Sequence, residues 1–298
     1  MNAHRIFKAL LLGQLILMGV LGCGLALPET SVIVAAPAAH PAEITGLSAT
    51  PVISTYLPVV FAGSRIWRPA PGVSWQWQLK DTIDTSFNVQ MYDIDLFDAP
   101  QSTINQLHAA GRTVICYFSA GSWENWRSDE GSFPAAVLGN TLDGWPDEKW
   151  LDIRQISTLS PIMQARLNLA VEKKCDGVEP DNVDGYANDS GFSLAAADQL
   201  AYNRWLSEQA HNRGLSIGLK NDLDQIPQLI SYFDWALNEQ CFEFGECSKL
   251  TPFVAANKAV FGVEYNLDTT AFCPQANALN FDWLKKNIGL DASRTACR

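Results

Sequence analysis

The sequence predicts an α/β fold, a single (β/α)8 TIM barrel set behind an N-terminal signal and a spacer. Three observations carry that prediction. Beyond Gly72, eight short apolar runs alternate with longer amphipathic stretches. The runs are almost continuous in apolar residues, as strands of a parallel sheet covered on both faces are. No G-x-G-x-x-G follows any of them, which weakens the open dinucleotide-binding sheet as an alternative.

The first element is a targeting signal, residues 1–22. Arg5 and Lys8 form a basic start, and Ala9 to Gly22 is an uncharged, mostly apolar run. The run is shorter than the roughly 20 residues a membrane span needs, so it reads as a secretory signal peptide. It ends in Val20-Leu21-Gly22-Cys23, which resembles a bacterial lipobox and makes Cys23 a candidate for lipid attachment. Cleavage among the later alanines is the alternative. Residues 23–71, rich in Ala, Pro, Ser and Thr, form a spacer. The folded domain is 72–298, about 225 residues, near the lower end for an eight-stranded α/β barrel.

Within it the predicted strands are Trp75–Leu79, Val89–Asp95, Thr113–Ala120, Gly177–Asp181, Ser216–Asn221, Trp235–Gln240 and Val260–Tyr265, with a weaker one around Leu279–Trp283. Helical periodicity predicts Thr103–Ala110, Ile162–Lys174, Ala195–Arg213 and Leu223–Ser231 between them. Gly111 and Gly214 stand where two helices should stop, as C-terminal capping glycines do.

Composition narrows the function. The chain has 47% hydrophobic and 18% charged residues, which excludes bulk disorder and coiled coil. Its formal net charge is −11, and removing Arg5 and Lys8 leaves 19 basic residues against 32 acidic, a charge of −13. Nucleic acid and anionic membrane surfaces would be repelled, so the expected partner is a neutral or cationic one. Membrane contact is expected only through a lipid on Cys23. The protein is thus expected to be secreted or anchored at the outer face of the cell membrane.

Seven cysteines are present. Setting Cys23 aside leaves six, an even number in an exported chain, which favours disulfides. The pairs that sequence position suggests are Cys116–Cys175, Cys241–Cys247 and Cys273–Cys297, among 15 possible connectivities for six cysteines. No C-x-x-C or H-x-x-x-H spacing points to zinc, so no metal and no cofactor are expected.

The active site of such a barrel lies at the C-terminal ends of its strands, and polar residues collect there. Strand two ends Tyr92-Asp93-Ile94-Asp95, and strand four runs Gly177-Val178-Glu179-Pro180-Asp181-Asn182. Strand five closes on Lys220-Asn221, strand six on Asn238-Glu239-Gln240, strand seven on Glu264-Tyr265. A single carboxylate at a strand end is usually a loop cap. So many together would repel one another at a cost in stability, which asks for a functional reason. Alternation puts Glu179 with Asp181, and Asp93 with Asp95, on one face of their strands. Paired carboxylates suit glycoside hydrolysis, where one protonates the leaving oxygen and the other attacks or activates water. Trp75, Trp77, Tyr117, Trp123, Trp126 and Tyr265 are candidate faces for sugar rings.

Four ordered strings, Val114-Ile115-Cys116-Tyr117-Phe118-Ser119-Ala120-Gly121, Cys175-Asp176-Gly177-Val178-Glu179-Pro180-Asp181-Asn182-Val183-Asp184, Gly218-Leu219-Lys220-Asn221-Asp222 and Asn238-Glu239-Gln240-Cys241, resemble glycoside hydrolase family 114. The resemblance spans about Gly72 to Cys297. It implies an endo-acting α-1,4-polygalactosaminidase on a TIM barrel, cutting cationic or neutral amino-sugar polysaccharide without metal or cofactor. It also implies Asp181 and Glu239 as the catalytic pair.

The residues themselves suggest Asp181 as nucleophile, with Asn182 beside it, and Glu239 as proton donor. The exchanged roles are the alternative, and carboxyl groups roughly 6.5–9.5 Å apart would make Asp181 the general base of an inverting enzyme. Glu179 lies deeper, orienting Lys220 or holding the sugar, and Asp93, Asp95, Tyr117, Asn182, Asn221 and Tyr265 are further substrate contacts. A nucleophile at Asp181 implies retention of configuration and carboxyl groups about 5–5.5 Å apart. Lys220 and Asn221 should then line the floor between them. A surface lectin on the same barrel, or a glycosidase of other specificity, is the alternative.

Overall fold

The computed structural model describes residues 66–298. The expected signal, Cys23 and most of the spacer lie outside the described residues. In chain order the elements are β1 (Trp75–Gln78), β2 (Met91–Asp95), α1 (Gln101–Ala109), β3 (Thr113–Ser119), β4 (Ser122–Glu124), β5 (Leu138–Leu142), β6 (Trp145–Leu151), α2 (Ile156–Glu172) and β7 (Gly177–Asp181). There follow α3 (Ala196–His211), β8 (Ser216–Lys220), α4 (Ile226–Leu229), β9 (Trp235–Glu239), α5 (Cys241–Phe244), α6 (Thr251–Ala255), β10 (Val260–Glu264), α7 (Thr269–Ala278), β11 (Asp282–Lys285) and β12 (Thr295–Ala296).

Eight of these strands pair in parallel, in the order β1-β2-β3-β7-β8-β9-β10-β11, and β12 adds to β11 antiparallel. They form a TIM barrel whose strands coincide with the eight apolar runs of the sequence to within about three residues at either end. Between β11 and β1 the described residues form no strand ladder. The seam is held by side chains and by one backbone bond, from Leu79 N to the Leu290 carbonyl at 3.0 Å. Trp75 Nε1 donates to the Asp282 carbonyl at 2.9 Å, and the Asp282 carboxylate accepts from Gly72 and Val73 amides at 2.9 and 3.3 Å.

Inward-facing positions, two apart on each strand, change character along the barrel axis. Trp75, Trp77, Met91, Ile115, Trp235, Leu237, Phe261 and Val263 fill the interior with an apolar plug. Further along the same alternation come Asp93, Tyr117, Glu179, Asp181, Lys220 and Glu239. A second and larger apolar layer, including Ile94, Phe118, Val178, Ile217, Ala236 and Val260, faces the helices. The plug makes the lower barrel a core and confines polar chemistry to one mouth.

The differences from expectation have local causes. Helix α2 begins at Ile156, six residues before the predicted start, with Pro161 inside it. Pro161 lies only one turn from the N-terminus, so it removes a single hydrogen bond near an end already short of partners. Strand β11 is displaced from the expected Leu279–Trp283 because α7 runs to Ala278 and Asn280 turns the chain at φ +59°. The antiparallel sheet β4-β6-β5 was not anticipated. Its signal was Asp143-Gly144, a hairpin dipeptide, and Gly144 adopts φ +81° there. The fold also begins before Gly72, within the stretch expected as spacer. Trp67 stacks on Phe261 at 6.5 Å, and Arg68 pairs with Asp234 at 2.8 Å.

The structure joins the six cysteines as Cys116–Cys175, Cys241–Cys247 and Cys273–Cys297. The first ties β3 to the entry of β7 and spans 59 residues, including the whole β4–β6 insert and α2. Loop-closure entropy puts its contribution at about 4 kcal/mol. The variant carrying Cys116→Ala with Cys175→Ala should therefore lose roughly that much in urea unfolding, with the native circular dichroism spectrum retained.

Candidate active site

The polar mouth is assembled by the ends of β2, β3, β7, β8, β9 and the residue after β10. Lys220, at the end of β8, is its hub. Its Nζ donates to Glu179 Oε1 at 2.9 Å and lies 3.0 Å from Asp181 Oδ1 and 3.5 Å from Glu239 Oε2. Below the ammonium the Trp77 ring centroid is 4.7 Å away, a cation–π contact from the apolar plug. Two oxygens at 3.0 and 3.5 Å from one nitrogen are no more than about 6.5 Å apart, so Asp181 and Glu239 face one another closely across β8.

Both carboxylates reach solvent, with side chains 19% and 24% exposed, whereas Glu179 is fully buried. Each is aimed by a tyrosine. Tyr117 OH donates to Asp181 Oδ2 at 3.2 Å, and Tyr265 OH donates to Glu239 Oε1 at 2.5 Å. Burial, followed by the neighbouring carboxylate charge, pushes both phenols well above their ordinary range, so they act as neutral donors. Asp181 Oδ1 also accepts the Asn182 amide at 2.7 Å, and Glu239 Oε2 the Asn221 side-chain amide at 3.2 Å. Asn221 is held in turn: its Oδ1 accepts from Glu239 N at 3.0 Å and Asn238 Nδ2 at 3.1 Å.

These strand ends leave the barrel through left-handed backbone. Asn182 has φ +60°, Asn221 +48°, Asp222 +43° and Gln240 +65°. Such conformations cost about 1–3 kcal/mol each and concentrate where function asks for them. Close approach matters here too. A Cβ on Gly121 would come within 1.7 Å of the Asn182 carbonyl, so only glycine lets the β3–β4 turn pass over Asn182.

Asp93 and Glu179 form a buried pair beneath the hub. As two ionised carboxylates they would leave Asp93 Oδ1, Asp93 Oδ2 and Glu179 Oε2 without a donor. Burial, and then the charge of Glu179, push Asp93 far above the carboxylate range, so it keeps its proton and bonds to Glu179. Burial also raises Glu179, against the opposing pull of Lys220. Lys220 itself would be pushed down by burial, but Asp181, Glu179 and Glu239 outweigh that and hold it well above the lysine range.

Several sequence expectations are redistributed. Lys220 and Asn221 do lie between Asp181 and Glu239. Asp95 parts from Asp93: its carboxylate is taken up by Arg127 at 2.6 and 3.0 Å and by the amides of Phe97 and Asp98 at 2.8 Å. Every oxygen of Asp95 thus has a protein partner, and it is not a free substrate contact. Trp75 and Trp77 are buried in the plug, where no sugar ring can stack. Trp126 is half exposed beside Arg127, and Trp123 lies under Lys149 at 5.6 Å. Ser119, Ser122, Asn238 and Glu148 belong to the site's hydrogen-bond network and were not singled out from sequence. Ser119 and Asn238 stood inside the recognised strings; Glu148 had no signal, because its strand β6 was not foreseen.

Two solvent-reaching carboxylates paired across one strand are the arrangement that glycoside hydrolysis uses. The family model of glycoside hydrolase family GH114 matches residues 58–298, and the chain belongs to that family. Among solved structures, Aspergillus fumigatus Ega3, in complex with galactosamine, is 44% identical with a TM-score of 0.75, covering 78% of this chain and 98% of that one. The glycoside hydrolase domain of PelA from Pseudomonas aeruginosa shares the fold at 12% identity and a TM-score of 0.59, covering 76% and 98%. No curated protein sequence matches the chain.

Replacing Lys220 by Met should destabilise the fold by about 3–5 kcal/mol near neutral pH, because Glu179 is left buried without its cation. The sign with pH follows from Glu179 and Asp93, whose folded pKa values are raised. Their contribution to stability is present below the ordinary carboxyl range and is lost as pH rises toward neutrality. Urea titrations at pH 5 and pH 7.5 should show the variant's deficit widening at the higher pH.

Proposed function

We propose that this enzyme hydrolyses α-1,4-linked galactosamine-containing polysaccharide, with Asp181 as nucleophile and Glu239 as acid/base. The observation that carries the reading is the pairing of these two carboxylates, both open at the mouth and both within reach of Lys220. Galactosamine bound to Ega3, 44% identical to this chain, supports the amino-sugar class. The net charge of −11 supports a substrate carrying ammonium groups.

The proposed chemistry runs in two displacements. Protonated Glu239 gives its proton to the glycosidic oxygen as Asp181 attacks the anomeric carbon. The C–O bond to the leaving chain breaks and an ester to Asp181 forms. Glu239, now a carboxylate, takes a proton from water as that water attacks the same carbon and frees Asp181. Both carboxylates lying on one ammonium, at 3.0 and 3.5 Å, is compatible with this double displacement, for which the carboxyl groups stand about 5–5.5 Å apart.

Three points support the assignment of roles. Lys220 stands closer to Asp181 than to Glu239, at 3.0 against 3.5 Å, which fits Asp181 as the nucleophile. Glu179 and Asp93 are wholly buried, so their part is to hold Lys220 and not to touch sugar. Tyr117, Tyr265, Asn182 and Asn221 border the pair where the reacting sugar would lie. We also read the chain as exported, by its N-terminal signal and with Cys23 as the candidate for lipid attachment; the three disulfides support an oxidising compartment.

The test is incubation with partly deacetylated galactosamine polymer and mass spectrometry of the products. Asp181→Asn and Glu239→Gln should each lower turnover by at least about 10³-fold while melting within a few degrees of the wild type. Binding of polymer by the wild type with no change in its length would instead make the protein a lectin.

A further inference from the structure

The insert β4-β6-β5 reaches Asp181 through a chain of hydrogen bonds. Glu148, on β6, accepts from Ser122 Oγ at 2.7 Å. Ser122 Oγ lies 2.6 Å from Ser119 Oγ, and the side-chain amide of Asn182 donates to both, at 2.9 Å to Ser119 and 3.1 Å to Ser122. The Ser122 amide donates to Ser119 Oγ at 3.1 Å. Asn182 then delivers its backbone amide to Asp181 Oδ1 at 2.7 Å.

With Glu148 ionised, the directions of these bonds are set. An amide N–H can only donate, and the two serine oxygens are only 2.6 Å apart, so one Asn182 side-chain N–H is shared between them. Ser122 Oγ gives its own proton to the carboxylate of Glu148. Ser119 Oγ accepts the Ser122 backbone N–H and sends its own proton to Ser122 Oγ. The whole chain is polarised toward Glu148, an acceptor without a donor of its own when ionised. Ser122, Ser119 and Glu148 are all buried, so water does not substitute readily for a missing member.

What the chain fixes is the posture of Asn182. Its backbone is left-handed at φ +60°, and its amide reaches Asp181 in that posture. We infer that Glu148 is a positioning residue for Asp181, acting through Ser122 and Asn182, and that this is what the β4–β6 insert contributes to catalysis. The inference rests on the proposed role of Asp181. Glu148 is faced by Glu124 and Arg127 on the side of β4, by Asp181 from β7 and by Tyr117 from β3. Burial, only partly offset by the Ser122 bond, pushes it up to about 7. Polarisation of the chain therefore weakens as pH falls through neutrality.

The experiment is a double-mutant cycle of Ser122→Ala and Glu148→Ala, with Glu148→Gln as the conservative control. Each alanine variant should lower kcat by about 10- to 100-fold with KM within about twofold of wild type. The double variant should fall no further than either single one. Glu148→Gln, which keeps an acceptor for Ser122, should restore most of kcat and flatten its dependence on pH around 7. Additive losses, or a raised KM with kcat intact in the Glu148 variants, would overturn the inference; the second result would make Glu148 a direct contact to substrate.

A readout free of activity accompanies the cycle. The Asn182 amide proton, drawn downfield by its short bond to Asp181, should move upfield in both alanine variants by NMR. An unmoved resonance sinks the inference whether or not the wild type cleaves polymer. Absence of cleavage by the wild type, with the resonance moving as expected, defeats the proposed function alone.

Discussion

One buried ammonium organises this protein's working end. Lys220 sits among Glu179, Asp181 and Glu239 at 2.9, 3.0 and 3.5 Å, above the ring of Trp77. A lysine so deeply buried is costly unless paired, and carboxylates so close together repel unless a cation divides them. Each solves the other's problem. The proton kept on Asp93 completes the balance by removing one negative charge from the base of the cluster.

The rest of the barrel serves that arrangement. Strands β7 and β9 are not neighbours; β8 lies between them, and its final residue bridges the gap. Alternation brings Glu179 and Asp181 to the interior from one strand, one rung apart, so the deeper carboxylate anchors Lys220 while the upper one meets solvent. The tryptophan-rich plug beneath closes the barrel to water and lowers the local dielectric, which strengthens every charge interaction above it. Cys241–Cys247 pins the turn immediately after Glu239, and Cys116–Cys175 clamps β3 to the entry of β7.

Much of this was legible in the amino-acid order because strands buried on both faces leave an unmistakable apolar run, and glycines mark helix ends. Gly111 and Gly214, at φ +73° and +74°, stand where the helices α1 and α3 end. The paired carboxylates were visible because alternation fixes which residues share a face. Alternation misled at Asp95, whose partner Arg127 is 32 residues away, in a loop with no periodic pattern. It could not separate Trp77, a core residue, from a sugar platform, since both readings want an inward aromatic. Glu148 lay hidden for a further reason: β6 pairs only with short irregular strands, and its polar, charged sequence Trp145-Pro146-Asp147-Glu148-Lys149 resembles a loop.

The central claim is that Lys220 draws Asp181 and Glu239 close enough for one to attack the sugar while the other handles the proton. The anomeric configuration of the first-formed reducing ends reports on that spacing most directly, because water entering between more distant carboxylates inverts the centre. Proton NMR of an α-linked galactosamine oligomer, recorded within the first turnovers and before mutarotation, should show the α-anomer appearing first. Initial release of the β-anomer would contradict the account.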